Sequence, residues 1–375
     1  MLFALSTLSP LAQAQPGNAA AALISASALA LWFAAALLLA FWIDRRWGEP
    51  PSRLHPVVRI GNYLQLAGRF TVRCPAAPAF VLGALAWCVG AAACGGVAWW
   101  VQALALEQVL GAAQLFTRPS AFASLADVSA ILAVLGLAVS LVVVAALLKC
   151  LLSWRMLRSE VAAVEAALEQ SLDAGRQRLS WLVSRDTAKL SAGEVRESAI
   201  ESLAENLNDS VVAPVFWFVL FGLPGAAVYR FANTADAMWG YPGIYRGNNW
   251  QWAGKWAARA DDVLSWPPAR LTAGLLAMAS GCLSMKTLRT EAIKTPSPNS
   301  GWPMAAMALA LGVGLRKPGV YALNPQGRAP EADDTARAQH LSGATVRGLV
   351  WLAMAVMLLA LPVCAVGLVM AGAAR

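Results

Sequence analysis

The longest polar stretch of the sequence, residues 181–209, carries a ladder of acidic side chains in a chain that is otherwise mostly apolar. Glu197, Glu201, Glu205 and Asp209 recur every four residues, so a helix would place all of them on one face. Carboxylates at this spacing repel one another. Either water with neighbouring Arg and Lys side chains offsets that repulsion, or a bound Mg²⁺ ion or a cationic reacting group does so. The spacing alone favours neither a solvated helix face nor a functional site.

The C-terminal end of this ladder favours the functional interpretation. Asn206, Asn208 and Asp209 stand immediately before an apolar segment, where a pocket facing the membrane would open. Mg²⁺ takes few carboxylates and keeps several waters, so oxygen ligands at i, i+4 and i+8 suit a site for Mg²⁺ and phosphate. Arg185 and Asp186 lie just upstream and add a cation and a further acid.

Polar patches also interrupt the apolar chain elsewhere. The first, residues 44–56, combines acids, arginines and His55 with prolines that stiffen a turn, and a juxtamembrane loop with snorkelling arginines explains it without a function. In another patch, Asn233 and Asp236 share a helix face between apolar stretches, which makes them functional candidates by default. A weaker acidic patch follows at residues 333–334.

Two more patches combine charge with rigid turns. Asp261 and Asp262 are adjacent acids that could bind a metal, while Lys255 and Arg259 could take phosphate oxygens. Considered alone, an Arg–Asp salt-bridged helix end explains this patch better. Residues 297–303 form a polar turn that opens a helix, whose free N–H groups could receive an anion.

Four apolar runs are long enough to position these patches at a membrane, because a crossing helix needs roughly 20 apolar residues. They cover residues 20–43, 79–106, 131–152 and 346–369. Basic residues follow the first and third runs, so the positive-inside bias places the N-terminus outside and loop 44–77 in the cytoplasm. The loop between the second and third runs has Arg118 as its single cation, as expected of an external loop.

The remaining apolar segments are too short to cross the membrane and are predicted to form half-depth, tilted or re-entrant helices. They are residues 211–221, 271–283 and 304–315. The first would form a hairpin that dips partway into the membrane, with its turn at residues 222–225. Residues 1–19 lack a basic start and read as an uncleaved tail rather than a signal peptide. The prediction is one all-α, polytopic membrane domain over residues 20–375, with about four transmembrane helices, additional short or re-entrant helices and a cytoplasmic helical insertion at residues 153–209.

Composition agrees with a membrane protein and excludes several functions. The 375 residues are 58% hydrophobic and only 13% charged, with 16 Trp. The net charge of +8 is spread over loops, which suits anionic lipid or substrate rather than nucleic acid. The six cysteines lack C-x-x-C spacing and read as small core residues, and two histidines, His55 and His340, cannot build a histidine metal centre. No nucleotide-binding glycine loop or nucleophile elbow is present. A membrane enzyme and a transporter both remain open.

These patches, in their order, resemble the CobD/CbiB family of cobalamin biosynthesis, the adenosylcobinamide-phosphate synthases. The matching motifs are D-x-x-x-G-E-P…H-P-V-x-x-I-G at 44–61 and S-R-D-T…E-S-L-A-E-N-x-x-D-S-V-V-A-P at 184–214. They continue with N-T-x-D-x-M-x-G-Y at 233–241, A-A-R-A-D-D-V…P-A-R-L at 257–271 and S-P-N-S-G-W-P at 297–303. Each motif is weak alone, but the ordered set is specific.

The resemblance implies a multi-pass ligase of the bacterial inner membrane with a cytoplasmic active face. Its expected reaction joins aminopropanol, preferably as the O-phosphate, to a propionate of adenosylcobyric acid, with ATP as cosubstrate and Mg²⁺. Other membrane enzymes of corrinoid assembly are implied partners, and nucleic acid is not. Six acids are implied to handle metal or phosphate: Glu201, Glu205, Asp209, Asp236, Asp261 and Asp262. The implied substrate- and phosphate-binding residues are Arg185, Asn206, Asn233, Lys255, Arg259 and Asn299. The implied catalytic residues are His55, Asp186, Glu201 and Glu205, with His55 or Asp186 as the base.

The chain departs from the family pattern at Met304, where a glutamate usually follows the 297–303 motif, and again after Tyr241, where a more charged run is expected. Two other functions stay open: a non-catalytic membrane sensor of the AmpE type, and a transporter of corrinoids or other anions. A transporter should place polar groups at bilayer depth in repeat-related broken helices. A sensor should leave the acids scattered, whereas an enzyme should bring them together.

Overall fold

The computed structural model describes residues 19–116, 128–281 and 284–373, which are helical apart from turns and two short hairpins. The first helices are α1 (Ala19–Trp47), α2 (Pro56–Thr71), α3 (Ala76–Phe116), α4 (Val128–Leu151), α5 (Trp154–Gln170), α6 (Leu172–Leu179) and α7 (Ala192–Leu207). A π-helical turn, Asn208–Val212, connects α7 to α8 (Ala213–Phe221), α9 (Leu223–Trp239), α10 (Lys255–Ala279), α11 (Met285–Ala292), α12 (Gly301–Leu311) and α13 (Ala332–Ala373). The antiparallel hairpins pair β1 (Ile244–Tyr245) with β2 (Asn248–Asn249), and β3 (Leu315–Lys317) with β4 (Tyr321–Leu323).

Four helices of the described residues, α1, α3, α4 and α13, are long and apolar enough to cross a membrane, which confirms the predicted fold class. Helices α3 and α13 have 41 and 42 residues, so each is about 60 Å long and exceeds a hydrocarbon core of about 30 Å. The predicted tail, residues 1–19, lies almost wholly outside the described residues, as does Arg118 of the predicted external loop.

Helix α1 forms the centre of the bundle and packs against α3, α4 and α13. Its Leu29 and Leu37 are fully buried, whereas α3 exposes large apolar side chains such as Val97 and Trp100. This distribution suits a bundle whose outer surface meets lipid rather than water. The described cysteines are all free, and the expectation that they are core residues is wrong for Cys88, which is exposed.

Helices α8 and α9 form the predicted hairpin, and its turn is built around Gly222. The positive φ of this residue, 73°, and the 2.2 Å between an added Cβ and the Gln102 side-chain oxygen both require glycine. Gln102 is a fully buried residue of α3, and its Oε1 accepts a hydrogen bond of 2.7 Å from the N–H of Leu223. This bond satisfies a free N–H at the start of α9. The turn is thus fixed to the middle of a candidate membrane-crossing helix.

The cytoplasmic insertion predicted at 153–209 comprises α5, α6 and α7. Helix α7 begins with a capping box, in which the Ser191 side chain accepts from the N–H of Glu194 and the Glu194 carboxylate accepts from the N–H of Ser191. Val161 and Val164 of α5 are buried, and Val164 packs in a small core with Val195 of α7. This packing holds the acidic ladder against the rest of the protein.

Two of the short apolar segments do not form the separate helices that were predicted. Residues 271–283 are not a separate helix, because α10 runs unbroken from Lys255 through two internal prolines to Ala279. Residues 304–315 do not form one helix, because Gly312 adopts a left-handed conformation and ends α12. The chain then enters the β3–β4 hairpin, which the all-α prediction did not include.

Candidate active site

The acidic ladder lies inside the protein rather than on a solvated helix face. Glu197 and Glu201 are each 3% exposed, and Val195 and Leu203 on the opposite side of α7 are fully buried. Buried carboxylates need compensating partners, because desolvation of an unpaired charge costs several kcal/mol. The solvated-face interpretation of the spacing is therefore wrong.

The β3–β4 hairpin covers the N-terminal half of the ladder and supplies such partners. The N–H of Arg316 donates to Glu197 at 3.0 Å. The hydroxyl of Tyr321 donates to Oε1 of Glu201 at 2.7 Å, and Arg185 forms an ion pair with the other oxygen of Glu201. The Glu201 carboxylate thus orders both a phenol and a guanidinium.

A cavity of about 150 Å³ opens where the insertion meets the hairpin. Its polar lining consists of Ser184, Arg185, Ser198, Glu201, Ser202, Glu205, Asn206, Lys317 and Tyr321. A second cavity of about 410 Å³ shares Arg185, Ser198, Lys317 and Tyr321 with the first, so the two adjoin. The larger one also contains Arg316. Together they form a hollow with three cations and a row of carboxylates.

Glu205 is a ladder residue whose pKa is raised by burial and by neighbouring acids. Burial, followed by the charges of Asp209, Glu201 and Asp236, raises the pKa of its carboxyl from 4.5 to about 7 against the opposing effect of Lys317. These carboxylates come from α7, the π-helical turn and α9, so separate elements deliver negative charge to one place.

Asp209 lies beyond Glu205 in a second group of polar side chains. Its carboxylate accepts a hydrogen bond of 2.9 Å from Asn208, and the Asn233 amide and Tyr229 hydroxyl also stabilise its charged form. Burial nevertheless raises its pKa. Burial, followed by the charges of Asp209 and Asp262, raises the pKa of Asp236 to about 6.

Asp261 extends the same group from α10. Burial, followed by the charges of Asp209 and Asp236, raises its pKa well above the ordinary value. Its Oδ2 accepts from Ser265 at 3.3 Å, whereas its Oδ1 is buried and without a hydrogen-bond partner among the described residues. Buried polar atoms in folded proteins are almost always hydrogen-bonded, so this oxygen is available to a water, an ion or another ligand. The adjacent Asp262 is affected less, and burial alone raises its pKa.

The π-helical turn positions Asp209, and Pro214 accounts for the irregular hydrogen bonding around it. Proline has no N–H to donate to the carbonyl of Ser210, and the N–H of Ser153 donates to that carbonyl instead at 3.1 Å. The N–H of Ala213 bonds to the carbonyl of Asn208, five residues earlier. The wider turn places Asn208 and Asp209 at the junction of α7, α9 and α10.

Gly240 allows the Asp236 carboxylate its position. A Cβ at residue 240 would lie 2.0 Å from Oδ1 of Asp236, which is closer than any nonbonded contact. Because φ at this glycine is −68°, the requirement is for space and not for backbone freedom. The N-T-x-D-x-M-x-G-Y motif therefore encodes both an acid and the space that the acid occupies.

The 44–56 patch forms a separate group around a buried lysine that the sequence interpretation missed. Lys149 of α4 is 2% exposed and contacts Glu49 at 2.6 Å and Asp44 at 3.7 Å. Nε2 of His55 lies 3.0 Å from Glu49, while its Nδ1 accepts from the N–H of Val57 and caps α2. Because both ring nitrogens are engaged, His55 has no free nitrogen to act as a base in this arrangement.

The predicted residues of the group around Asp209 do not line the two cavities, and four more predicted site residues, described next, do not line them either. Asp186 is exposed and closes a local turn through the N–H of Ala188. Lys255 stacks 4.4 Å from the Trp252 ring, and Arg259 is exposed on α10. Asn299 is buried and connects α10 to the turn before α12.

The side-chain amide of Asn299 connects α10 to the turn before α12. The Asn299 amide donates to the carbonyl of Asp262 at 2.7 Å and accepts from Arg270 at 2.6 Å. Just before α12, the N–H groups of Asn299 and Ser300 donate to Ser297, and the N–H of Trp302 donates to the carbonyl of Asn299. In this arrangement the 297–303 motif holds α10 in place.

Met304 lies where the resemblance to the family implied a glutamate. It is 2% exposed, and its sulfur lies 3.9 Å from the Tyr321 hydroxyl that donates to Glu201. A carboxylate at this position would therefore approach Glu201 and add a further acid to the group.

Three residues of the hollow, Arg316, Lys317 and Tyr321, were absent from the candidate residues drawn from the sequence. The available signal was local: Leu-Arg-Lys-Pro-Gly-Val-Tyr at 315–321 has a Pro-Gly pair between short strand-like runs, which is typical of a hairpin. Its contact with the ladder depends on tertiary packing.

Within the described residues, no group of three or more His, Cys, Asp or Glu side chains is close enough to hold a metal ion by itself. Mg²⁺ in sites for phosphoryl transfer is commonly held by one or two carboxylates together with waters and substrate phosphates. The unpartnered oxygen of Asp261 beside Asp209 and Asp236 is compatible with that kind of binding.

The fold and the site define a protein with four candidate membrane-crossing helices and a carboxylate-lined hollow between its helical insertion and a β-hairpin. The chain belongs to the CobD/Cbib protein family of cobalamin biosynthesis, which it matches over residues 37–352.

Curated relatives cover most of the chain. A probable cobalamin biosynthesis protein CobD from Thermococcus kodakarensis is 37% identical over 330 residues, which are 87% of this chain and 96% of that protein. One from Methanothermobacter thermautotrophicus is 37% identical over 295 residues, covering 76% of this chain and 85% of that protein. The cobalamin biosynthesis protein CobD of Chromobacterium violaceum is 38% identical over 314 residues, covering 81% and 90%. No solved structure matches the chain.

Proposed function

We propose that the protein is an ATP-dependent acid–amine ligase of cobalamin biosynthesis, an adenosylcobinamide-phosphate synthase. Its substrates would be adenosylcobyric acid and aminopropanol, preferably as the O-phosphate. The observation that carries the proposal is the meeting of Glu205, Asp209, Asp236 and Asp261 from four separate elements, next to cations. A sensor requires no such meeting of acids.

The proposed reaction requires two nucleophilic displacement steps. A carboxylate oxygen of the corrin propionate attacks the γ-phosphorus of ATP, forming an acyl phosphate and releasing ADP. The amine nitrogen then attacks the acyl carbon, the C–N bond forms, the bond to phosphate breaks, and the nitrogen loses a proton. Both steps develop negative charge on phosphoryl oxygens, which positioned cations stabilise.

Arg185 and Lys317 are the cations proposed to contact the phosphoryl groups, because both line the hollow. Glu201 fixes Arg185 through their ion pair, so its role would be positioning. Mg²⁺, when bound, would offset phosphate charge, and Asp209, Asp236 and Asp261 are the side chains proposed to hold it.

Glu205 is the residue proposed to accept the amine proton. It lines the hollow, and a carboxyl whose pKa is about 7 exchanges a proton readily near neutral pH. His55 and Asp186 suit this role less well, since His55 is fully hydrogen-bonded and Asp186 is exposed outside the hollow.

The membrane arrangement proposed for this activity places the hollow on the cytoplasmic side of a bacterial inner membrane. Arg45 and Arg46 end α1, and Lys149 lies at the end of α4, so the cations gather where the insertion begins. Other membrane enzymes of corrinoid assembly are proposed neighbours.

The test is synthesis of the amide by purified full-length protein. Adenosylcobyric acid, aminopropanol phosphate or free aminopropanol, and Mg-ATP are incubated with it, and mass spectrometry detects the condensed corrinoid. We expect the amide with the wild type and with Glu169→Gln, a control at an exposed residue of α5, and its loss with Glu205→Gln. No amide from folded wild-type protein, or full activity of Glu205→Gln, would count against the proposal.

A further inference from the structure

A separate cavity of about 710 Å³ lies apart from the hollow, between α1, α5 and α13. Four arginines line it: Arg45, Arg155, Arg158 and Arg347. All four are exposed at the end of α1, the start of α5, or the beginning of the apolar run of α13. We call this cavity the arginine groove.

The charge of the arginine groove is largely uncompensated by the protein. Among the described residues, none of its four guanidinium groups forms a salt bridge. Two acids on α5 are already engaged, because Glu160 pairs with Arg178 and Glu165 pairs with Arg196.

One carboxylate, that of Asp44, does line the arginine groove. It is 1% exposed, it accepts from the backbone N–H of Arg155 at 2.8 Å, and it lies 3.7 Å from the ammonium of Lys149. Its charge is therefore directed into the protein and leaves the four exposed arginines in excess. Such an excess binds anions.

The same helices also give the arginine groove an apolar wall, which identifies the kind of anion. Phe41, Val346, Val350 and Trp351 line it. Trp351 is 71% exposed and projects from a helix that is a candidate membrane span. Guanidinium groups beside an aromatic, aliphatic wall match a molecule that has a phosphate headgroup and acyl chains.

We propose that the arginine groove binds the phosphate headgroup of an anionic phospholipid, with the acyl chains along the wall formed by Phe41, Val350 and Trp351. The helices that form the groove include α5, which leads into the insertion, and α1, whose Asp44 contacts the backbone of α5. A bound lipid would therefore fix the orientation of the insertion relative to the membrane surface. The proposal does not depend on the ligase activity.

The test is native mass spectrometry of the full-length protein in detergent, titrated with phosphatidylglycerol or phosphatidylcholine carrying identical acyl chains. The double variant R158Q/R347Q removes two charges from the groove, while R69Q/R73Q removes two exposed charges near the end of α2. We expect the groove variant to bind phosphatidylglycerol about thirtyfold more weakly, and the control to bind it like the wild type.

Other outcomes would overturn the proposal. They are equal binding of the two lipids by the wild type, equal losses in both double variants, or equally tight binding of soluble glycerol phosphate, which would make the groove a site for a soluble anion. If the double variant does not fold, Ser159→Glu replaces it in the test. This substitution adds an acid to the groove and should weaken phosphatidylglycerol binding.

Discussion

Replacing Glu205 with Gln removes a buried negative charge while keeping the size of the side chain and its ability to hydrogen bond. The pKa of this carboxyl rises from 4.5 to about 7 in the folded protein, chiefly through burial and then through the charges of Asp209 and Glu201. Between those two pH values the folded protein holds a proton that the unfolded chain has released. The free energy of unfolding therefore decreases as pH rises through this window, and the full penalty is present above about pH 7.

The size of the penalty follows from the difference between 4.5 and about 7, which at 1.36 kcal/mol per pKa unit is about 3 kcal/mol. Glu205→Gln should remove it. We expect the variant to be more stable than the wild type above pH 7, with a melting temperature higher by a few degrees, and the difference should vanish towards pH 4.5. Added Mg²⁺ should narrow the difference at pH 8, because a bound cation would stabilise the wild-type carboxylates.

The assay is thermal unfolding of the detergent-solubilised protein between pH 5 and 8.5. Glu194→Gln provides a control of opposite sign, because hydrogen bonds from Ser191 lower the pKa of Glu194 and its charge stabilises the capping box above pH 4.5. That variant should be less stable at pH 8. Parallel pH curves for Glu205→Gln and the wild type would mean that Glu205 carries no buried charge.

Two further substitutions test the geometry of the site. Gly240→Ala should lower the melting temperature by several degrees and displace Asp236, because the new Cβ would lie 2.0 Å from its carboxylate oxygen. The control is Gly274→Ala, which has nothing within 4 Å of the added Cβ and should be neutral or slightly stabilising in thermal unfolding. Tyr321→Phe removes the 2.7 Å hydrogen bond to Glu201 and should cost about 1.5–3 kcal/mol in denaturant unfolding, together with a lower turnover; unchanged stability would place the hairpin away from the ladder.

Residue patterns predicted the larger features because those features follow from local physics. Apolar runs such as 20–43 and 346–369 predicted membrane-crossing helices, since length and hydropathy determine where a helix can cross. The four-residue spacing from Glu197 to Asp209 predicted one acidic face, and the structure places that face on a single helix and the turn that follows it.

The burial of that face was not predictable, because it depends on contacts between distant residues. Tyr321 reaches Glu201 across 120 positions of sequence, and Lys149 reaches Glu49 across 100. Spacing also could not show that His55 would be engaged as a helix cap rather than free as a base. Packing determines which polar residues meet.

This dependence on packing explains why the ordered motifs are more informative than any one of them. The motif around Asp236 includes the glycine that makes room for its carboxylate, and the motif around Asn299 holds the helix that carries Asp262. Several motif residues thus position a charged group instead of contacting substrate. Substitutions at them should affect stability and activity together.

Acids from separate elements are proposed to hold one cation together with phosphoryl groups, and titration with Mn²⁺ measures that binding. Mn²⁺ is titrated into the purified full-length protein with a non-hydrolysable ATP analogue, and the electron paramagnetic resonance signal of free Mn²⁺ is followed. We expect one saturable site in the wild type and in Asp173→Asn, whose side chain is 90% exposed on α6, and binding weaker by about tenfold or more in Asp261→Asn. Equal binding by Asp261→Asn and the wild type, or no saturable site in either, would show that these acids do not hold the cation.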